Sequence, residues 1–157
     1  MEQGLDHFLA ERAKAKKTLT LVTGVFDLLH QEHRNFLLKA KQLGDLLLIG
    51  LESDVRVKQL KGANRPINNQ AQRLVNLRAW NIADYIFILP ENFSKSAEHR
   101  HLIEYIRPNF MAISSHTAFA LEKEAILADF GAKLVVVHEF NPQFSSSLMI
   151  KNIKKRS

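Results

Sequence analysis

Short strand-like runs that alternate with stretches of helical periodicity limit the fold of this chain more than any other feature. Thr18 to Thr23 (TLTLVT), Leu46 to Leu51 (LLLIGL), Tyr85 to Leu89 (YIFIL), Phe110 to Ile113 (FMAI) and Leu134 to Val137 (LVVV) are the strand candidates. LLLIGL is apolar without interruption, which suits a strand covered on both faces. Between the runs lie helical stretches. In Leu5 to Lys17, Leu5, Phe8 and Leu9 share a face. In Gln31 to Leu43, Phe36, Leu37, Ala40 and Leu43 do the same. Gln70 to Asn81, Ala97 to Ile106, Phe119 to Phe130 and Ser146 to Lys155 read as further helices, with Gly44 and Gly131 as C-terminal caps. Strands that alternate with helices build β-α-β units and a parallel sheet, crossing over right-handed.

The expected fold is therefore α/β. It is a single Rossmann-like domain over residues 1–157, a five-stranded parallel sheet with helices on both faces, and residues 1–17 form a helical N-terminal leader. In such a sheet ligands sit at the carboxyl ends of the strands, at the switch point of the strand order. The absence of cysteine excludes disulfides, thiolate metal sites and a cysteine nucleophile. No run approaches the roughly 20 apolar residues of a membrane span. MEQGLDHFLAERAKAKK at the start lacks the apolar centre of a signal peptide. A cytoplasmic protein with no membrane partner is expected. The formal charge of +6 is partly terminal, with Lys14, Lys16 and Lys17 near the start and Lys151, Lys154, Lys155 and Arg156 near the end. It suits either a nucleic acid or multiply charged phosphorylated substrates. The aromatics are not interleaved with the basic residues as stacking platforms require, which disfavours nucleic acid.

The segment richest in chemistry is Thr23-Gly24-Val25-Phe26-Asp27-Leu28-Leu29-His30-Gln31-Glu32-His33, where the first strand hands over to the first long helix. Backbone amides and the helix dipole make an anion site there, and Gly24 allows a tight turn and close approach of a ligand. His30 and His33, three apart, can point the same way. Together they can donate hydrogen bonds to phosphate oxygens and stabilise charge that grows in a transition state. Two other readings stand beside this one. H-x-x-H spacing can hold zinc if His99, His101, His116 or an acid adds a ligand, and the pair can be purely structural. Phe26, Leu28 and Leu29 read as core, while Asp27 is either a ligand contact or a helix cap.

This segment resembles the signature T-x-G-x-F-D-x-x-H-x-G-H of the cytidylyltransferase-like nucleotidyltransferases, and ordered motifs continue the resemblance along the chain. Leu43-Gly44-Asp45, the LLLIGL strand and Ser53-Asp54 resemble the second strand and its serine–aspartate end. Lys58, Lys61-Gly62 and Arg65-Pro66-Ile67 resemble a loop with a phosphate-binding lysine, and Arg73 a helix-borne arginine. Ala83-Asp84, Ile106-Arg107-Pro108-Asn109 and Phe144 to Lys151 resemble later motifs, so the match runs from about Thr18 to Ile153. Within the family the chain looks most similar to bacterial heptose-1-phosphate adenylyltransferases. It is also similar to glycerol-3-phosphate cytidylyltransferases and archaeal-type FAD synthetases.

The resemblance implies transfer of a nucleoside monophosphate from a triphosphate to a phosphorylated sugar or polyol, with release of pyrophosphate. ATP is the favoured donor and CTP the alternative, accompanied by Mg²⁺ held by phosphates and water. It implies catalytic roles for His30, His33 and Lys61. Nucleotide contacts fall to Thr23, Gly24, Val25, Phe26, Asp27, Arg73, Ser145, Ser146 and Ser147, and acceptor contacts to Asp54, Arg65 and Ser114. No protein-held metal is implied, and the family suggests a homodimer. By their residue types alone, Arg65 can equally be an ion-pair partner only, and Ser145 to Ser147 a helix cap. The chain departs from the pattern twice. Glu32 replaces the glycine between the histidines, and Ile113-Ser114-Ser115-His116-Thr117 lacks the lysine, glycine and aspartate usual after the fourth strand. These departures favour a second reading, a catalytically degraded relative that binds a nucleotide or a partner protein.

Overall fold

The computed structural model describes residues 2–93 and 95–138. Five strands form one parallel sheet: β1 (Leu19–Gly24), β2 (Leu46–Leu51), β3 (Tyr85–Ile88), β4 (Phe110–Ser114) and β5 (Lys133–His138). Their order is β3-β2-β1-β4-β5. Six helices accompany them among the described residues: α1 (Gln3–Ala15), α2 (Gln31–Lys41), α3 (Asp54–Lys61), α4 (Gln70–Ala79), α5 (Ser96–Ile106) and α6 (Ala120–Asp129). The α/β expectation is borne out, and the switch in strand order falls between β1 and β4.

Successive side chains of a strand point to opposite faces, and the two cores divide accordingly. Leu19, Leu21, Leu48, Phe87 and Met111 pack with Leu5 of α1, Leu102, Ile103 and Ile106 of α5, and Leu127 of α6. On the other face Val22, Leu47, Ile49, Ile86 and Ala112 pack with Leu37 and Ala40 of α2 and Leu77 of α4. β2 alternates between the two with no polar side chain, which explains its unbroken apolarity. Gly50 is the exception in size. A Cβ there would lie 2.9 Å from Leu89 Cδ2 and 3.1 Å from Phe87 Cζ, so larger neighbours fill its place.

Two details differ from the sequence reading, and the expected N-terminal helix is present. α1 is an integral element: Leu5 is fully buried, and Arg12 donates to Ile106 O and to Asn109 Oδ1. Gly44 does not cap α2, which ends at Lys41 with Gln42 in a right-handed conformation. The glycine is needed for close approach instead, because a Cβ would sit 3.1 Å from Thr20 Oγ1 and 3.2 Å from Thr18 Oγ1. The segment carrying Lys58 and Lys61 is not all loop: Asp54–Lys61 is helical, capped by the Ser53 hydroxyl, which accepts from Arg56 N. Ser146 to Lys155 lies outside the described residues.

Candidate functional site

The carboxyl ends of β1 and β2, the start of α2 and residues 65–68 meet at one end of the sheet, and two buried side chains hold them together. Asp27 is 1% exposed. Its carboxylate accepts from Arg65 Nε at 3.1 Å, Ile67 N at 2.8 Å and Asn68 N at 2.9 Å. It thus anchors residues 65–68, whose Arg65–Pro66 peptide is cis. The N-cap of α2 is His30, not Asp27. Arg73 of α4 is fully buried. Its guanidinium donates to Val25 O at 2.8 Å, Glu52 O at 2.9 Å, Asn68 O at 3.0 Å and Asp54 Oδ1 at 2.8 Å. Those bonds occupy four of the fork's five N–H groups. Arg73 therefore ties together the segments after β1 and β2 and residues 65–68.

Backbone shape is set between these anchors. Phe26 takes φ 49°, in the left-handed region, and its ring is buried in the core below α2. A Cβ on Gly24 would lie 2.7 Å from the Phe26 ring. Gly24 is thus required by the ring that folds back over it, while the unusual dihedral belongs to Phe26. Phe26 also meets His33 edge to face, with ring centroids 5.5 Å apart. Leu29 packs against the same core, as expected.

His30 and His33 stack at the start of α2, with ring centroids 3.8 Å apart and planes within 22°. His30 N–H donates to His33 Nδ1 at 3.3 Å. Nδ1 of His33 is thereby an acceptor, which leaves the proton of the neutral ring on Nε2. Burial, with the adjacent His30 adding to it, pushes His33 down from its ordinary value near 6.5 to about 3. Burial also lowers His30, opposed by the negative charge of Glu32. Two stacked neutral imidazoles at a helix N-terminus offer hydrogen-bond donors and the positive end of a dipole to an anion. Glu32, half-buried in the first turn of α2, works against that through its charge.

The other expected positions are placed as follows. Thr23, Gly24 and Val25 lie half-buried at the end of β1. Lys61 ends α3 and is exposed, followed by Gly62 at φ 105°. Asp54 begins α3 and pairs with Arg73. Arg65 is buried and pairs with Asp27. Ser114 ends β4 at a register shift against β5, its hydroxyl 3.4 Å from Thr117 Oγ1. Ser145, Ser146 and Ser147 lie outside the described residues. No group of three or more His, Asp or Glu able to hold a metal ion occurs among the described residues. Of the imidazoles considered as a third zinc ligand, His99 packs on Phe93 at 4.2 Å, and His101 and His116 are exposed. No described helix is long and apolar enough to cross a membrane.

Sequence reasoning missed a second polar group at this end of the sheet. Glu52 follows β2 directly, Arg56 lies on α3, His99 on α5 and Lys123 on α6. Only the position of Glu52, immediately after a buried strand, could have drawn attention to it.

A 3-2-1-4-5 parallel sheet covered by helices on both faces, with its switch point between β1 and β4, defines an open doubly wound α/β protein. The chain belongs to the cytidylyltransferase-like family, whose sequence model matches residues 21–153. It is 34% identical over 151 residues to the bifunctional protein HldE of Helicobacter pylori strain G27, covering 96% of this chain and 31% of that one. It is likewise 34% identical over 140 residues to HldE of Campylobacter jejuni subsp. doylei, covering 89% of this chain and 28% of that one. The chain thus spans less than a third of the length of these relatives. Among solved structures it resembles the lipopolysaccharide core biosynthesis protein of Thermoplasma volcanium, with TM-score 0.62 and 20% identity over 80% of this chain and 97% of that one. It also resembles pantothenate synthetase of Thermus thermophilus, with TM-score 0.59 and 13% identity over 86% of this chain and 61% of that one. These two likenesses speak to the fold.

Proposed function

We propose that the chain transfers a nucleoside monophosphate, AMP from ATP in the favoured case and CMP from CTP in the other, to a phosphorylated sugar. The observation that carries this reading is the stacked His30–His33 pair at the α2 N-terminus, beside the switch point of the sheet. In the reaction an oxygen of the acceptor's phosphate attacks the α-phosphorus in line. A new P–O bond forms, and the bond from the α-phosphorus to the oxygen bridging to the β-phosphate breaks. Pyrophosphate leaves with that electron pair. Catalysis is positioning plus charge stabilisation.

His33, neutral and with its proton on Nε2, donates to an oxygen of the triphosphate, and His30 does the same beside it. Lys61, exposed at the end of α3, brings a mobile point charge to the β- and γ-phosphates. Residues 23–26 form the floor of the nucleotide site. Arg73 contributes by holding that floor in shape, since its guanidinium is already engaged on the protein side. Asp27 holds residues 65–68 in the same manner. Mg²⁺ fits as a companion of the triphosphate, bound by phosphate oxygens and water, because a hard cation of this kind favours oxygen ligands over imidazole. It supplies charge neutralisation there. The resemblance to heptose-1-phosphate adenylyltransferases supports a sugar-phosphate acceptor and a homodimer, and the sequence features set out above support a cytoplasmic setting.

Glu32 favours a second reading, a relative that has lost turnover and kept binding. The test is thermal stability with Mg²⁺ and ATP, CTP, GTP or UTP in turn. A ligand at 100 times its dissociation constant adds about 2.7 kcal/mol. A shift with one nucleotide names the triphosphate bound, and pyrophosphate release with a sugar phosphate then separates turnover from binding alone; no shift with any at millimolar concentration refutes the enzymatic reading.

A further inference from the structure

Phe26 stands out by its backbone. A bulky aromatic residue at φ 49° is uncommon, because in the left-handed region its Cβ crowds the following carbonyl oxygen. Such a conformation persists only where its surroundings over-determine it, and it concentrates at functional sites. Glycine would adopt it freely, yet Gly24, two residues earlier, keeps the extended backbone of β1. What the conformation of Phe26 achieves is the placement of its ring, which is 7% exposed and shares a core with Leu37 and Ala40 of α2.

That ring joins two parts of the site. On one side it lies so close to Gly24 that a Cβ there would be 2.7 Å from Phe26 Cε2. On the other it meets His33, with centroids 5.5 Å apart and planes at 60°. His33 in turn stacks on His30 at 3.8 Å. Gly24, Phe26, His33 and His30 thus form one continuous column from the end of β1 to the N-cap of α2.

The orientation of the His33 ring decides what it offers an anion. The outer torsion of a histidine side chain is broad and roughly two-fold. A half-turn about it exchanges Nε2 with a ring carbon and Nδ1 with another, so the flipped ring presents C–H where the donor stood. The bond from His30 N–H to Nδ1 opposes the flip, but at 3.3 Å it is longer than the roughly 2.7–3.2 Å of an ordinary N–H donor bond. The Phe26 ring supplies a second restraint, since edge-to-face pairing favours one mutual arrangement of the two rings. It also covers one side of the imidazole. Burial, with His30 adding to it, holds His33 at about 3, while Glu32 acts on His30 and raises it.

We propose that Phe26 is the positioning residue of His33: its left-handed backbone and its ring hold the imidazole in the one orientation that presents Nε2–H to the triphosphate. The proposal rests on the nucleotidyltransferase reading. Its first test is NMR of the histidine side-chain nitrogens in the full chain without nucleotide. Wild-type His33 is expected to show Nδ1 unprotonated, Nε2 protonated, a single ring orientation and proton–proton contacts to the Phe26 ring. Phe26→Leu, which keeps an apolar side chain and removes the ring, is expected to average those nitrogen signals and to raise the titration of His33 above about 3. In the same variant kcat for pyrophosphate release from Mg·ATP and a sugar phosphate falls about thirtyfold, while KM for Mg·ATP stays within about threefold. Phe26→Tyr, which keeps the ring, restores both signals and kcat. Because Phe26 acts through His33, adding Phe26→Leu to His33→Ala costs no further rate. Unchanged His33 signals in Phe26→Leu, a loss confined to KM, or the same loss of kcat on top of His33→Ala overturns the proposal. If Phe26→Leu fails to fold, wild-type protein decides: two His33 orientations, or no contact between the two rings, overturns it equally. Wild-type protein that binds Mg·ATP and releases no pyrophosphate with any sugar phosphate sinks the enzymatic reading instead, and the NMR result still decides how His33 is held.

Discussion

Arg73→Met replaces a fully buried guanidinium with a side chain of similar length and no donors. Three carbonyls, those of Val25, Glu52 and Asn68, lose their partner, as does the Asp54 carboxylate. Asp54 is 31% exposed and regains water, so most of its loss is recovered. The carbonyls are less accessible, and removing one side of a buried charged network costs about 3–5 kcal/mol. That is a large share of the 5–15 kcal/mol typical of a domain. With a urea dependence of about 2.5 kcal/mol per molar, the unfolding midpoint falls by roughly 1.5 M. Fluorescence of the single tryptophan, Trp80, at the end of α4, reports the transition. Arg73→Lys keeps the charge but not the fork and lands between the two. All of this is expected without nucleotide. A loss below about 1 kcal/mol for Arg73→Met in apo protein refutes the bracing role and returns Arg73 to a role in direct nucleotide contact.

Three further outcomes follow from the same geometry. His33 titrates lower in the folded chain, about 3 against 6.5, so the unfolded state binds more protons in that window and stability falls on acidification. Urea titrations below pH 6.5 should show His33→Asn removing up to about 1.4 kcal/mol per pH unit of that slope; an unchanged slope contradicts the buried neutral imidazole. Glu32→Gly is expected to tighten Mg·ATP binding about tenfold by calorimetry and to cost about 1 kcal/mol of stability, since glycine is a poor helix former. Gly24→Ala drives a Cβ into the Phe26 ring at 2.7 Å and should cost about 1–3 kcal/mol in the same urea assay.

Much of this architecture was legible in the residues because both faces of the sheet are covered. A doubly covered parallel strand must be apolar throughout, and LLLIGL shows it. The H-x-x-H pair was legible because its spacing and its place after the first strand are local. What the sequence hid depends on long-range partners. Asp27 reads as a ligand contact or a cap until Arg65, Ile67 and Asn68, about 40 positions on, are seen to donate to it. Arg73 reads as a phosphate ligand by its charge, while its bonds to Val25 and Glu52 depend on tertiary placement. α3 was missed because VRVKQLK carries little amphipathic pattern, and its start depends on the Ser53 cap. Gly44 looks like a helix cap by position, but its packing against Thr18 and Thr20 is a tertiary constraint.

The central claim is tested most directly by pyrophosphate release from Mg·ATP in the presence of a heptose or hexose 1-phosphate. The account predicts release that requires both substrates, falls about a hundredfold or more in His30→Ala and His33→Ala as the transition-state donors are removed, and survives in a surface variant such as Leu121→Ala. Release that persists in the two histidine variants, or none with any sugar phosphate from protein that binds Mg·ATP, would contradict it.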